Sequence, residues 1–504
     1  MRHQKHQFLW ANFLHFYQPA EQQPDILAAV VAQSYRPIFE RIKNDRQVRL
    51  TINITGSLLE LFDKHGYRDL IDALRRGAQE QRVEFTGSAK YHAFLPFLEE
   101  QEVVRQIRMN NETNRYYLGK TYVPRGFFPP EMAYKPALAR IAAAEGFEWI
   151  ILDEIACTGV PGEVDYTKIY QIKGVPLKVF FRERRLSNLI MSAVVRTRAS
   201  LLEAMREDLK TNRYLVTAMD GETFGHHRPG LEKILFQIFH TPGIRLLRIS
   251  DLLDRYQETV TIEPVQSTWA SSERDILRGI QFISWSDPEN TIHRWQWRLQ
   301  RLVLKAVQAM KPSGASFQRV RKKMDIALAS DHFWWASAKP WWSIEMIEDG
   351  AYRLLDTLRA IPAIDKRRLD EALGYYEKIV STGFDWQRTG KIRSMMAEQN
   401  AILRIPFKER TAEKGGGERG VYVAFLRMMK HLERSAAKTG EYEKAILWRD
   451  SMLKLEKKLD IYDAINAIDL LRLEIPYEKV EATIERYKNR YRSIRGGQPE
   501  QRGS

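Results

Sequence analysis

Residues 214–227 read Tyr-Leu-Val-Thr-Ala-Met-Asp-Gly-Glu-Thr-Phe-Gly-His-His. An apolar, strand-like run ends in two carboxylates, Asp220 and Glu222, set about a glycine, and His226 and His227 follow at once. A carboxylate is costly to desolvate unless it is paired or put to use, so acids placed where such a run meets a turn mark a site. Residues 126–134, Gly-Phe-Phe-Pro-Pro-Glu-Met-Ala-Tyr, repeat the arrangement with Glu131. Cleaving a glycosidic bond needs two acids flanking it, one as nucleophile or base and one as proton donor. The two stretches supply such a pair.

Working outward from them, short apolar runs alternate with longer amphipathic stretches through about residue 260. The runs include 8–13, 48–54, 83–86, 148–152, 179–181 and 214–219, with helix-like segments at 60–75, 101–118 and 133–145 between them. This alternation predicts parallel βα units and, at this count, a barrel; spacing alone also admits an open sheet. The acidic motifs follow the apolar runs, at the carboxyl ends of strands, where barrels of this kind place their sites. From about Ile276 the pattern turns helical. It divides the chain into a barrel over 1–265, a helical region over 266–365 that closes over the site, C-terminal helices over 366–485 and a basic tail over 486–504, expected to be disordered. A break is expected near Gly415-Gly-Gly417 and a last helix at 480–491.

Composition narrows the class. The 504 residues carry 44% hydrophobic and 28% charged side chains, the balance of a soluble globular protein with at least one large core. No apolar run reaches the roughly 18 residues of a membrane span, and the first strand-like run is interrupted by Asn12 and His15. One cysteine, Cys157, excludes an internal disulfide. Together these predict a cytoplasmic protein with no membrane partner. The net charge of +15 is spread among acids, apart from six basic residues against Glu500 from Arg486 onward. No nucleic-acid motif accompanies it, so nucleic acid is not an expected partner. Oligomeric state is not legible.

Several polar-aromatic clusters surround the acids. In Leu14-His-Phe-Tyr-Gln-Pro19, strand alternation sends His15 and Tyr17 to one side and Phe16 and Gln18 to the other. His15, Gln18 and His92, the last within the loop 86–96, suit sugar hydroxyls, although a histidine at a strand end is often structural. Glu131 precedes a helix, whose positive end would favour its ionised form; the bland reading is an acid that only stabilises that end. If the strand runs on past Asp220, Glu222 shares its face, and the pair of like charges raises one pKa as a general acid requires. Gly221 between them permits close approach by a ligand or an unusual backbone angle. Trp285, Trp334, Trp335, Trp341 and Trp342 crowd the helical region beside Asp331 and His332. Indoles stack on pyranose faces, and equally fill cores. A rival chemistry takes Asp220, His226, His227 and His15 as metal ligands, as in carbohydrate deacetylases of similar architecture. A third reading is a catalytically silent glucan-binding protein.

With these residues assembled, the chain resembles glycoside hydrolase family 57, the α-glucan-acting amylases, 4-α-glucanotransferases and branching enzymes. Five family motifs have counterparts in order, at 15–19, 87–96, 126–134, 220–227 and 330–335. The first departs from the family's His-x-His-Gln-Pro, with Tyr17 in place of the second histidine. The resemblance covers roughly residues 8–360. It implies an incomplete (β/α)7 barrel followed by an all-helical C-terminal region, and retaining chemistry without metal or other cofactor. By the same resemblance Glu131 is the nucleophile and Asp220 the acid/base. His15, Gln18, His92, Tyr134, Glu222, His226, Trp285, Asp331, Trp334 and Trp335 become the candidate contacts for an α-glucan or maltooligosaccharide.

Overall fold

The first apolar run becomes β1 (Phe8–Phe16), buried along almost its whole length, and the sheet is built on it. Both faces of a parallel strand lie under other layers, which is why this stretch is nearly continuous in large apolar residues. The structure is a computed structural model; it describes residues 7–193, 195–339, 341–395, 419–457, 470, 471, 474, 475, 479, 480 and 482. The glycine-rich break near 415–417, most of the helix expected at 480–491 and the basic tail lie outside the described residues.

The remaining strands are β2 (Leu50–Ile54), β3 (Val83–Gly87), β4 (Gly126–Phe127), β5 (Trp149–Asp153), β6 (Ile169–Ile172), β7 (Lys178–Arg182), β8 (Tyr214–Asp220), β9 (Ile244–Leu247) and β10 (Thr259–Ile262). Their order is β10-β6-β7-β5-β4-β3-β2-β1-β8, with β9 also on β1. All neighbours run parallel except β6 and β7. Seven strands, β8-β1-β2-β3-β4-β5-β7, curl toward closure, as the (β/α)7 expectation requires. At the seam no ladder joins β7 to β8. Glu183 N–H donates to the Val216 carbonyl (2.7 Å), Arg182 Nε to the Ala218 carbonyl (2.7 Å), and Ala218 N–H to Ser187 Oγ (3.2 Å). The barrel is incomplete there, stitched by one backbone bond and two bonds through side chains.

The floor is sealed by the turn Ile249–Leu252 after β9. Ile249 N–H donates to Thr51 Oγ1 (2.9 Å), Ser250 N–H to Glu84 Oε1 (3.0 Å) and Trp149 Nε1 to Ser250 Oγ (2.9 Å).

Helices flank the strands. The expected helix over 60–75 is two, Gly56–Lys64 and Arg68–Gln79, because Gly66 turns the chain at φ +80°. The helix after residue 285 starts at Thr291, where Asn290 Oδ1 accepts from the N–H groups of Ile292 and His293 (2.9 and 3.1 Å), and runs to Gln308. Ile344–Arg359 and Lys366–Arg388 follow.

The chain falls into two compact units. One holds the barrel: the chain up to Ser187, Arg206–Gly221 and Phe239 through the helix Lys366–Arg388. The other takes in Asn188–Met205, Glu222–Ile238 and the C-terminal helices Arg419–Lys438 and Tyr442–Lys457, whose own small core holds Phe425, Met429, Trp448 and Leu455. Among the described residues, no helix is long and apolar enough to cross a membrane.

Candidate active site at the strand ends

Strand ends of the barrel meet in one polar layer. His15, buried near the carboxyl end of β1, is paired in register with Asn53 of β2 and Asp220 of β8. His15 Nδ1–H donates to Asn53 Oδ1 (2.8 Å), and Asn53 Nδ2 donates to Thr86 Oγ1 on β3 (3.0 Å). Glu131 follows β4 by four residues, Asp153 ends β5 and Arg182 ends β7.

Glu131 is held in an unusual backbone. Pro129-Pro130 bring the chain in extended, and Glu131 (φ +63°, ψ +13°) and Met132 (φ +48°) both adopt left-handed angles that side chains rarely occupy. Such strain persists only when surroundings enforce it, and it gathers at functional positions. Here Trp269 enforces it twice: its backbone N–H donates to the Glu131 carbonyl (3.2 Å) and its indole Nε1–H to Glu131 Oε2 (2.8 Å). His92, itself at φ +53°, places Nδ1 3.8 Å from Glu131 Oε1 and 3.2 Å from Ser330 Oγ.

Both acids titrate high. Burial first, then the facing Asp220 and Asp331, push Glu131 up to about 8 against the opposing hydrogen bond from Trp269. Burial pushes Asp220 up to about 6, opposed by the Arg182 guanidinium. The expectation that the helix end would favour ionised Glu131 is thus overturned. The helix begins only at Pro136, and desolvation with a like charge outweighs it. Burial lowers His15 to about 4 and His92 further, so both imidazoles are neutral. His92 Nε2 is buried and finds no hydrogen-bond partner among the described residues.

Alternation at 15–18 holds. His15, Tyr17 and His92 stack in one pile, with ring centroids 5.1 Å apart for His15–His92 and 4.3 Å for Tyr17–His92. Tyr17 Oη donates to Asp331 Oδ2 (2.7 Å), so the tyrosine standing where a histidine was expected joins the first motif to the fifth. Gln18 points the other way, its Nε2 donating to Tyr35 Oη (3.2 Å). Trp285 is 1% exposed, stacked on Phe94 at 5.0 Å, and Tyr134 is 1% exposed in the main core with its backbone bridged to Ser267. Trp334 and Trp335 are half-buried, in a cluster with the exposed Trp341. Glu222 is buried in the second unit, where its carbonyl accepts from His227 N–H (2.8 Å). His226, also in that unit, is half-buried and pairs with the His227 ring at 5.4 Å. Among the described residues, no group of three or more His, Cys, Asp or Glu is placed to hold a metal ion.

Gly221 serves packing rather than a ligand. The strand does not run on: β8 stops at Asp220 and Gly221–Thr223 is a turn of 3-10 helix. A Cβ on Gly221 would sit 2.1 Å from the Phe16 ring, which is wedged against Tyr35 and Phe39 (5.4 and 5.0 Å). Gly221→Ala is expected to cost about 1–3 kcal/mol of stability in denaturant unfolding through overpacking. A change within experimental error would show that Phe16 can yield.

Trp269, Arg182 and Arg184 escaped sequence reading. The signal for Trp269 was a lone indole in the Ser/Thr-rich loop Ser267-Thr-Trp-Ala-Ser-Ser272, just past the last strand.

Comparisons with known proteins identify the lineage and the fold. Residues 4–264 match the profile of glycosyl hydrolase family 57. The chain is 24% identical over 278 residues to an α-amylase of Pyrococcus horikoshii, covering 52% of this chain and 43% of that protein. It is 22% identical over 301 residues to a 4-α-glucanotransferase of Thermococcus kodakarensis, covering 56% and 45%. The matched region thus spans less than half the length of these relatives. Among solved structures, a family 57 branching enzyme of Thermococcus kodakaraensis superposes with a TM-score of 0.55 at 17% identity, covering 73% of this chain and 94% of that one. An α-amylase of Thermotoga maritima gives 0.53 at 16% identity, covering 74% and 97%. At such identity the structural likeness establishes the fold, and the profile match over half the chain establishes the lineage: the chain belongs to glycosyl hydrolase family 57.

Proposed function

We propose that the protein cleaves α-glucan with retention of configuration, and passes the glycosyl group to water or to a second sugar. Glu131 is the nucleophile and Asp220 the acid/base in this reading. The observation that carries it is the pair itself: two half-buried carboxyls from different strand ends, each raised in pKa, one under the other's charge and gripped by an indole donor. In the first step Glu131 forms a bond to the anomeric carbon while Asp220 gives its proton to the departing glycosidic oxygen. In the second, Asp220 takes a proton from water or a sugar hydroxyl, whose oxygen displaces Glu131. Neutral His15 and His92 offer N–H groups and lone pairs to hydroxyls, and no metal takes part.

The pair must carry one proton, which confines activity to a window from about pH 6 to about pH 8. Without substrate Glu131 is raised more than Asp220, whereas the productive arrangement has the shared proton on Asp220. Both arrangements have the same proton count, and a pH profile reports the pair. Bound substrate favours the productive one: the glycosidic oxygen gives the Asp220 proton an acceptor, and cationic charge developing at the anomeric carbon favours ionised Glu131.

The test is the product profile from maltoheptaose, with Glu131→Ala as control. Shorter and longer oligosaccharides, absent with the variant, support transfer; shorter ones alone make the protein a hydrolase. Turnover that persists in Glu131→Ala, or vanishes with a chelator, would overturn the assignment.

A further inference from the structure

The roles proposed above leave Asp153, Arg182 and Arg184 without a task. Asp153, fully buried at the end of β5, is paired through both oxygens: Oδ2 with Arg182 Nη1 (2.8 Å) and Oδ1 with Arg184 Nε (2.9 Å). The two arginines then reach in different directions. Arg182 Nε donates to the Ala218 carbonyl (2.7 Å), two residues before Asp220 on β8. Arg184 Nη2 donates to the Trp269 carbonyl (3.0 Å) and Nη1 to the Ser271 carbonyl (2.9 Å), holding the loop whose indole grips Glu131.

A buried ionic triad often stabilises a fold less than apolar residues of equal volume. What it supplies is geometry, because guanidinium forks meet carboxylate and carbonyl oxygens along fixed directions. One arm ends on the strand that carries Asp220, the other on the loop whose indole holds Glu131. We propose that Asp153 is the common anchor of the active site, positioning the proton donor through Arg182 and β8 and the nucleophile through Arg184 and the Trp269 loop. These three are positioning residues, and the claim rests on the assignment of Glu131 and Asp220 above.

The direction of the effects follows from what surrounds each acid. Glu131 is faced by Asp220, Asp331, His92 and the Trp269 donor; Asp220 is faced by Arg182, by Glu131 and, across the β1 register, by His15. Weakening the Trp269 contact removes a donor that favours ionised Glu131, so its pKa rises above about 8. Removing the Asp153 carboxylate leaves the Arg182 charge uncompensated near Asp220, so the cation that opposes the rise of Asp220 acts more strongly and its pKa falls below about 6.

The experiment compares wild type, Trp269→Phe, Arg184→Gln, their double variant and Asp153→Asn as full chains. Two readouts are taken: the pH profile of kcat and KM on maltoheptaose, and infrared difference titration of protonated carboxyls, which needs no turnover. Trp269→Phe and Arg184→Gln are each expected to move the alkaline limb up by about half a unit or more. Each should lower kcat about tenfold, the worth of one charge-assisted hydrogen bond, with KM little changed. The double variant should match the worse single, since both act through one contact. Asp153→Asn should move both limbs; should it fail to fold, the Arg184 and Trp269 series still decides. Additive effects, or an Arg184→Gln profile identical to wild type despite lowered stability, overturn the proposal. Wild type inert on every α-glucan would sink the functional reading instead, and the infrared titration would still judge the positioning claim.

Discussion

Glu131→Gln is expected to abolish turnover of maltoheptaose while making the protein more stable at neutral pH. The loss, on the order of 10⁴–10⁶ in kcat, is what removing a covalent nucleophile costs when no other group can take over. The gain follows from linkage. Folded Glu131 titrates at about 8 against an ordinary 4.5. Between those pH values the folded state holds a proton that the unfolded chain has released, so wild-type stability falls as pH rises through the window. Glutamine is neutral throughout and still accepts from Trp269. The stabilisation should be near zero below about pH 4.5, grow across the window and level off above about pH 8, reaching on the order of 5 kcal/mol. Because glutamine mimics protonated Glu131, Asp220 should keep its value of about 6. Thermal unfolding of both proteins from pH 4 to 9 checks this, and parallel curves would show that Glu131 is not strained electrostatically by the fold.

Asp220→Asn should give a different signature. Loss of a general acid costs about 10²–10⁴-fold with an ordinary glucan and much less with a leaving group that needs no proton, such as fluoride. With maltosyl fluoride the first step proceeds and the second, deprived of its base, stalls. A glycosyl adduct should then accumulate on the peptide containing Glu131, visible by mass spectrometry, and azide should hasten its release. Removing the facing charge also lowers the Glu131 pKa from about 8, because the nucleophile no longer ionises beside an anion. An adduct on another residue, or none, would reassign the nucleophile.

Much of this arrangement was legible in the sequence because barrel strands declare themselves. β1, β2, β3, β5, β7 and β8 are all strands of five residues or more that contain apolar residues in continuous or alternating order, and the polar residues that end them break the pattern visibly. β4 was legible only as a short strand-like run before Glu131. It is two residues long, and only the Pro-Pro-Glu sequence after it marked the spot. What escaped is held together across distance in sequence. Tyr17 meets Asp331 over 314 residues and Trp269 meets Glu131 over 138. A lone indole or arginine carries no periodicity from which such a contact can be read. Arg182 and Arg184 resemble charges at a strand's solvated end, yet Arg182 is 2% exposed. The acid ionisation at Glu131 was misjudged for a related reason: a helix end is visible in sequence, whereas burial and a facing carboxylate from β8 are not.

The register of β1 also bears on how the protein is made. Its partner β8 aligns Leu9 with Tyr214, so one long apolar edge waits for residues some 200 positions downstream. At ribosomal speeds of about 5–20 residues per second, that wait lasts roughly 10–40 s. Throughout it, the nascent sheet offers an unpaired hydrophobic border of the kind that recruits other chains. Asp220, the proposed acid/base, rides on the strand that ends this exposure, so the proposed pair and protection from aggregation are completed in the same folding event.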